Sequence, residues 1–166
     1  MQDKILSKKS SRISMASLFV SLTCFGAPAL ADGLPQISSS VENGKCSIKV
    51  NDKVIDTYKC EYTRPPSLLS YSYLYELDER LLVFIDQPMG NACDGGPLHI
   101  IRKKEDGDYK PLGTIDFCGG HYPEVISGPK TFSINIPSIP VEGTDKTIPS
   151  EKWVLSGDHI KKNKQR

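Results

Sequence analysis

The 166-residue chain predicts an all-β fold: a small antiparallel sandwich or barrel of about seven strands, stapled by two disulfides and preceded by a cleaved signal peptide. Three observations carry that expectation. Short segments alternate apolar and polar residues with period two, turn-forming residues recur between them, and four cysteines remain once a leader is set aside.

The leader comes first. Lys4, Lys8, Lys9 and Arg12 precede the apolar run ISMASLFVSLTCFGA, and PALADG follows it. Charged, apolar and small residues in that order make a Sec-type signal peptide over 1–31, with cleavage after Ala31. The run is short and rich in Ser and Thr for a membrane span. Cys24 invites a lipoprotein reading, but the Ser21-Leu22-Thr23 before it lacks the leucine and small residue such sites carry. No later segment is apolar enough to cross a bilayer, and no Asn-X-Ser/Thr acceptor occurs. The expected location is a bacterial periplasm.

The leader removes four of the 21 Lys and Arg and one of the 20 Asp and Glu, so the mature chain carries 17 against 19. Lys161, Lys162, Lys164 and Arg166 crowd the last six positions, which leaves the body before them with 13 basic against 19 acidic residues. An acidic body suits a basic protein partner and argues against nucleic acid, whose phosphates need a basic face.

Residues 32–44 read as a lead-in with a loose SSS at Ser38 to Ser40, 45–158 as one β domain, and 159–166 as a basic, solvated, disordered tail. A domain of this length buries roughly two thirds of its unfolded surface without staples. Cys46, Cys60, Cys93 and Cys118 nonetheless form an even set in an oxidising compartment, and proximity pairs Cys46 with Cys60 and Cys93 with Cys118.

The first hairpin is KCSIKVNDKVIDTYKCEY, turning at Asn51-Asp52. A strict two-residue turn sets Cys46 opposite Thr57 and leaves Cys60 out of disulfide reach, so the pairing requires a bulge or wider loop. Next come LLSYSYLYEL and RLLVFIDQP, joined at Asp78-Glu79. Tyr71, Tyr73 and Tyr75 share one strand face, packing on cross-strand neighbours or offering an aromatic platform. The unbroken run from Leu81 to Ile85 suits a strand buried on both sides. A third hairpin pairs Leu98 to Lys103 with Leu112 to Phe117 through EDGDYKP. KTFSINIPSI and EKWVLSG supply later strands, with Pro137 and Pro140 marking an edge or bend.

The segment from Gly90 to Glu124 concentrates the candidate chemistry. A Cys93–Cys118 bond closes about 26 residues at the open end of the third hairpin and, in the chain-entropy picture, contributes roughly 3.5 kcal/mol. Gly95, Gly96, Gly119 and Gly120 let the backbone turn around that crosslink. Zinc on Cys93, Cys118, His121 and Asp94 is the alternative, without the doubled spacing such sites carry. Glu105, Asp106 and Asp108 lack the spacing of a calcium loop. A hydrolytic reading pairs His99 or His121 with Asp94 or Asp116 and depends on hairpin register. Nucleophile-elbow, zinc-protease, Ser-x-x-Lys, Cys-x-x-Cys and phosphate-loop motifs are all absent.

In format the chain resembles periplasmic inhibitors of lysozyme and other wall-active enzymes. The Ser-Gly-x-x-Tyr motif of the C-type lysozyme inhibitors is not met, because Ser127-Gly128-Pro129-Lys130-Thr131 and Ser156-Gly157-Asp158-His159-Ile160 both end without tyrosine. The expected function is therefore binding, as an inhibitor or immunity-type protein that blocks a wall-active enzyme or toxin without cofactor or metal. The expected contact residues are Asp94, Gly95, Gly96, Gly119, Gly120, His121 and Tyr122. An envelope accessory or small-ligand carrier, and a hydrolase built on His99 or His121, are the alternatives.

Overall fold

A computed structural model describes residues 35–90, 93, 95–105, 107–119, 122–141 and 143–163. The expected signal peptide lies outside the described residues, as do Asp94, Gly120 and His121. No helix occurs among the described residues, so none is long and apolar enough to cross a membrane.

Among the described residues the strands form four antiparallel sheets, not the single seven-strand sandwich or barrel expected from the sequence, and their orders describe no closed barrel. The central sheet is β4 (Thr63–Leu74), β5 (Glu79–Pro88), β6 (Leu98–Lys104) and β7 (Lys110–Ile115), in that order. A second sheet holds β1 (Ile37–Glu42), β2 (Lys45–Val50) and β3 (Lys53–Lys59). The third runs β13 (His159–Asn163), β12 (Glu151–Ser156), β9 (Phe132–Ile136), β8 (Glu124–Ser127). β10 (Ile139–Pro140) and β11 (Thr147–Ile148) form a small ribbon.

The central sheet is covered on both faces. Leu81, Val83, Ile85, Leu98, Ile100 and Ile115 meet Phe132, Ile134 and Ile136 of β9, with Trp153, Leu155 and Ile160 packed alongside. On the other face, Leu82, Phe84 and Ile101 meet Ile48 and Val50 of β2, flanked by Tyr58 and Tyr71. Leu81 to Ile85 are all buried, as an unbroken apolar run in a doubly covered strand demands. Pro65 and Pro66 on β4 and Pro111 on β7 lie on the two edge strands of the central sheet, and Pro88 is the last residue of the interior strand β5.

Both expected disulfides form. In the β2–β3 hairpin Asn51 and Asp52 both take positive φ, the turn whose twist matches its strands. A bulge after Ile48 then shifts the ladder by one residue, so that Cys46 faces Tyr58 instead of Thr57. That slip brings the Cys46 and Cys60 Cα atoms to 5.7 Å and supplies the irregularity the pairing requires. The Cα separation for Cys93 and Cys118 is 5.0 Å.

Two boundaries differ from the sequence reading. Residues 37–42, expected as part of a lead-in, are β1, and residues 159–163, expected as a solvated tail, are β13. In both cases a two-residue turn carries the chain back along an existing strand: Asn43-Gly44 into β2 and Gly157-Asp158 after β12. Lys161 and Lys162 thus belong to a ladder, and Lys162 pairs with Glu151.

Candidate functional site

The two ends of the β6–β7 hairpin carry different chemistry, with a polar network between them. At the open end, Cys93–Cys118 joins the loop after β5 to the loop after β7. The Gly119 N–H donates to the Gly95 carbonyl at 2.9 Å, and the Gly96 N–H to the Asp86 carbonyl at 3.0 Å. Gly95, Gly96 and Gly119 are buried, which gives them a place in the scaffold beneath the surface. Gly96 has φ +96°, and a Cβ there would lie 2.3 Å from the Phe117 carbonyl oxygen, so no other residue fits. Tyr122 is 67% exposed.

Two residues that the sequence reading missed flank this end. Tyr62 is 79% exposed and holds a positive φ of 54°, a conformation a bulky side chain rarely adopts. Its carbonyl accepts the Met89 N–H at 2.6 Å, which ties exposed Met89, at the root of the Gly90 loop, to the corner after Cys60. Nothing in residue spacing marks them, because their proximity follows from the β4–β5 pairing.

Register decides the partners of His99. It faces Thr114 across β6–β7 and Phe84 across β5–β6, while Asp116 lies beyond the end of β7. The carboxylate that meets it is Asp86: His99 Nε2 lies 3.3 Å from Asp86 Oδ2, and the Tyr58 hydroxyl donates to Asp86 Oδ1 at 2.5 Å. Asp86 and His99 are 4% and 6% exposed. The Tyr58 ring stacks on the imidazole with centroids 3.8 Å apart. Burial, followed by the hydrogen bond and the charge of Asp86, pushes the Tyr58 phenol well above its ordinary range.

Thr114 Oγ1 lies 3.5 Å from His99 Nδ1, so a hydroxyl, an imidazole and a carboxylate stand in line. The order matches that of a nucleophile, base and orienting acid. The spacing to Thr114 is at the limit of a hydrogen bond, and Tyr58 covers one imidazole face. The arrangement satisfies buried polar groups on a sheet face. Among the described residues no three His, Cys, Asp or Glu side chains group to hold a metal, and Cys93 and Cys118 are bonded to each other.

At the turn end of the hairpin, on the opposite face of the central sheet from His99, a cleft of about 320 Å³ opens beside the β12–β13 turn. Arg102, Lys104, Lys110, Leu112, Asp108 and Asp158 line it. Arg102 donates to the Gly157 carbonyl at 3.0 Å and to Asp158 Oδ1 at 2.6 Å, while Lys104 Nζ lies 3.3 Å from the same Asp158 oxygen. The hydrogen bond from Arg102, and then that from Lys104, hold the Asp158 carboxyl below its usual range. The volume falls within the range of small-ligand pockets.

Compared with known proteins, the chain matches no family model, no curated protein and no solved structure.

Proposed function

We propose that the protein works by binding in the periplasm, as an inhibitor or immunity-type protein that blocks a wall-active enzyme or an imported toxin. Its contact surface is carried by the loops 90–96 and 118–122, with the buried Gly95, Gly96 and Gly119 as support beneath it, together with Tyr62 and Met89. The observation that carries this reading is the tie between the two loops: a disulfide, and a Gly119–Gly95 backbone hydrogen bond, beside an exposed tyrosine. Chain segments crosslinked before contact have less conformational freedom to lose on binding, and tyrosine provides large contact area with few rotatable bonds. Both faces of the central sheet are packed against covering strands, one with a partnered polar group of Asp86, His99 and Tyr58, which favours a surface binder over a carrier with a ligand inside a barrel. The two disulfides suit an oxidising extracytoplasmic compartment, and the acidic body suits a basic partner.

The test is capture on immobilised oxidised protein from periplasmic and culture-supernatant extracts, followed by assay of the retained enzyme. The expected result is a stoichiometric hydrolase or toxin whose activity falls when the protein is added. Asp94→Lys combined with His121→Ala and Tyr122→Ala should release it while the domain stays folded. Unchanged affinity in that variant rejects the placement of the surface, and retention of background alone rejects the inhibitor.

A further inference from the structure

The cleft at the turn end of β6–β7 has a charge arrangement that the fold alone does not require. Arg102 on β6 and Lys110 on β7 are direct cross-strand partners, and like charges so placed are destabilising. Arg102 is relieved: its side chain is only 10% exposed and is held by the Gly157 carbonyl and Asp158, with Glu79 Oε1 at 3.9 Å. Lys110 has no ion pair among the described residues. Asp108, its neighbour in the cleft, is engaged by Lys53 at 2.9 Å. Counting Lys53 and Glu79 with the lining residues gives four cations against three carboxylates.

Asp158 marks what this corner stabilises. One carboxylate oxygen bridges Arg102 and Lys104 from the tip of a two-residue turn. Lys104, half exposed and paired with Asp158, and the exposed Lys110 line the cleft together with the apolar side chain of Leu112. We infer that the cleft binds a small oxyanion, a carboxylate or phosphate on a body of monosaccharide size, held between Lys104 and Lys110 with the body against Leu112. Arg102 positions this site by fixing the Asp158 turn that forms its wall. Because β6 separates the cleft from the Cys93–Cys118 loops by roughly 20 Å, the site is independent of the proposed inhibitor surface.

The source of the oxyanion is separable with simple probes. We would follow backbone amide shifts of the oxidised protein during titration with inorganic phosphate, glucose 6-phosphate and glucuronate, at constant ionic strength, with glucose as the neutral control. Saturable shifts confined to residues 102–112 and 157–159 are expected with at least one anion and not with glucose. Saturation by glucose 6-phosphate alone assigns a phosphoryl group, and by glucuronate alone a carboxylate. Lys104→Gln and Lys110→Gln, both exposed enough to leave the fold intact, should each weaken binding about tenfold. Lys45→Gln, which removes the same charge at the far end of β2, should change affinity less than about twofold. The proposal is overturned if no anion saturates, if glucose shifts the same amides, or if Lys45→Gln weakens binding as much as Lys110→Gln.

Discussion

The two faces of the β5–β6 pair are built from alternating residues of the same two strands, yet they solve burial differently. Toward β8, β9 and β12 the pair presents Leu81, Val83, Ile85, Leu98 and Ile100 to a largely apolar interior, in which Ser72 of β4 is buried and partnered by Ser70, and charge appears at its rim, in Glu79, Arg102 and Lys104. Toward β2 and β3 it presents Leu82, Phe84 and Ile101, and then Asp86 and His99, whose polar atoms are met by Tyr58 and Thr114. The first face holds by volume and shape. The second adds a requirement on register, because a one-residue slip of β3 would carry the Tyr58 hydroxyl away from Asp86 and strand a buried carboxylate. Polar burial therefore adds a second constraint on the register of the smaller sheet to the one that apolar alternation already imposes.

The largest effect tests whether both faces are covered at all. Ile100→Ala and Ile101→Ala remove the same side chain from opposite faces at adjacent positions, and each should cost about 2–5 kcal/mol in denaturant unfolding. A two-layer protein would spare one of them, so near-neutrality of either variant breaks the three-layer comparison.

Asp86→Ala comes next. It leaves the Tyr58 hydroxyl and His99 without their shared acceptor, at about 1–3 kcal/mol for each stranded group. A double-mutant cycle with Tyr58→Phe should return a coupling of about 0.5–3 kcal/mol, and strict additivity would show that the two groups do not interact.

Tyr58→Phe alone should cost about 1–2 kcal/mol near neutral pH and sharpen the contrast through its pH dependence. Because the folded phenol resists ionisation, its contribution is fully present below the unfolded value of about 10 and is lost as pH rises above it. Unfolding titrations between neutral and alkaline pH should find that the wild type loses more stability than Tyr58→Phe. Parallel curves would mean that Tyr58 ionises no differently in the folded state. The smallest effect belongs to Thr114→Val, which should stay within about 0.5 kcal/mol. A larger loss, measured in the same unfolding assay, would make Thr114 an integral member of the network.

Much of the core was legible because period and turn chemistry are local. Leu81 to Ile85 announced a doubly buried strand, Asn51-Asp52 a hairpin, and the cysteine positions their own pairing. The strands β1 and β13 left signals that the reading passed over. Asn43-Gly44 is a strong hairpin dipeptide, and Gly157-Asp158 separates two short runs in the same way. Polar composition around Ser38 to Ser40 and Lys161 to Asn163 outweighed these turns, although edge strands are commonly polar.

The candidate sites were less legible for a physical reason. His99 was visible as a titratable strand residue, but its carboxylate partner lies 13 positions earlier on β5 and its ring partner on β3. Only two independent registers, including the slip after Ile48, bring them together. The Arg102–Asp158 contact spans 56 positions and depends on which sheet face the β12–β13 turn reaches.

The sequence by itself determined the all-β class, the buried central strand, the hairpin turns and the two crosslinks, because each follows from alternation, turn conformation or proximity along the chain. Tertiary structure alone decided that two further sheets cover the central one, that Asp86 rather than Asp116 meets His99, and that Arg102, Lys104 and Lys110 face one cleft. Those outcomes depend on register and on packing between sheets, where contacts far apart in the chain compete and no local pattern records which of them wins.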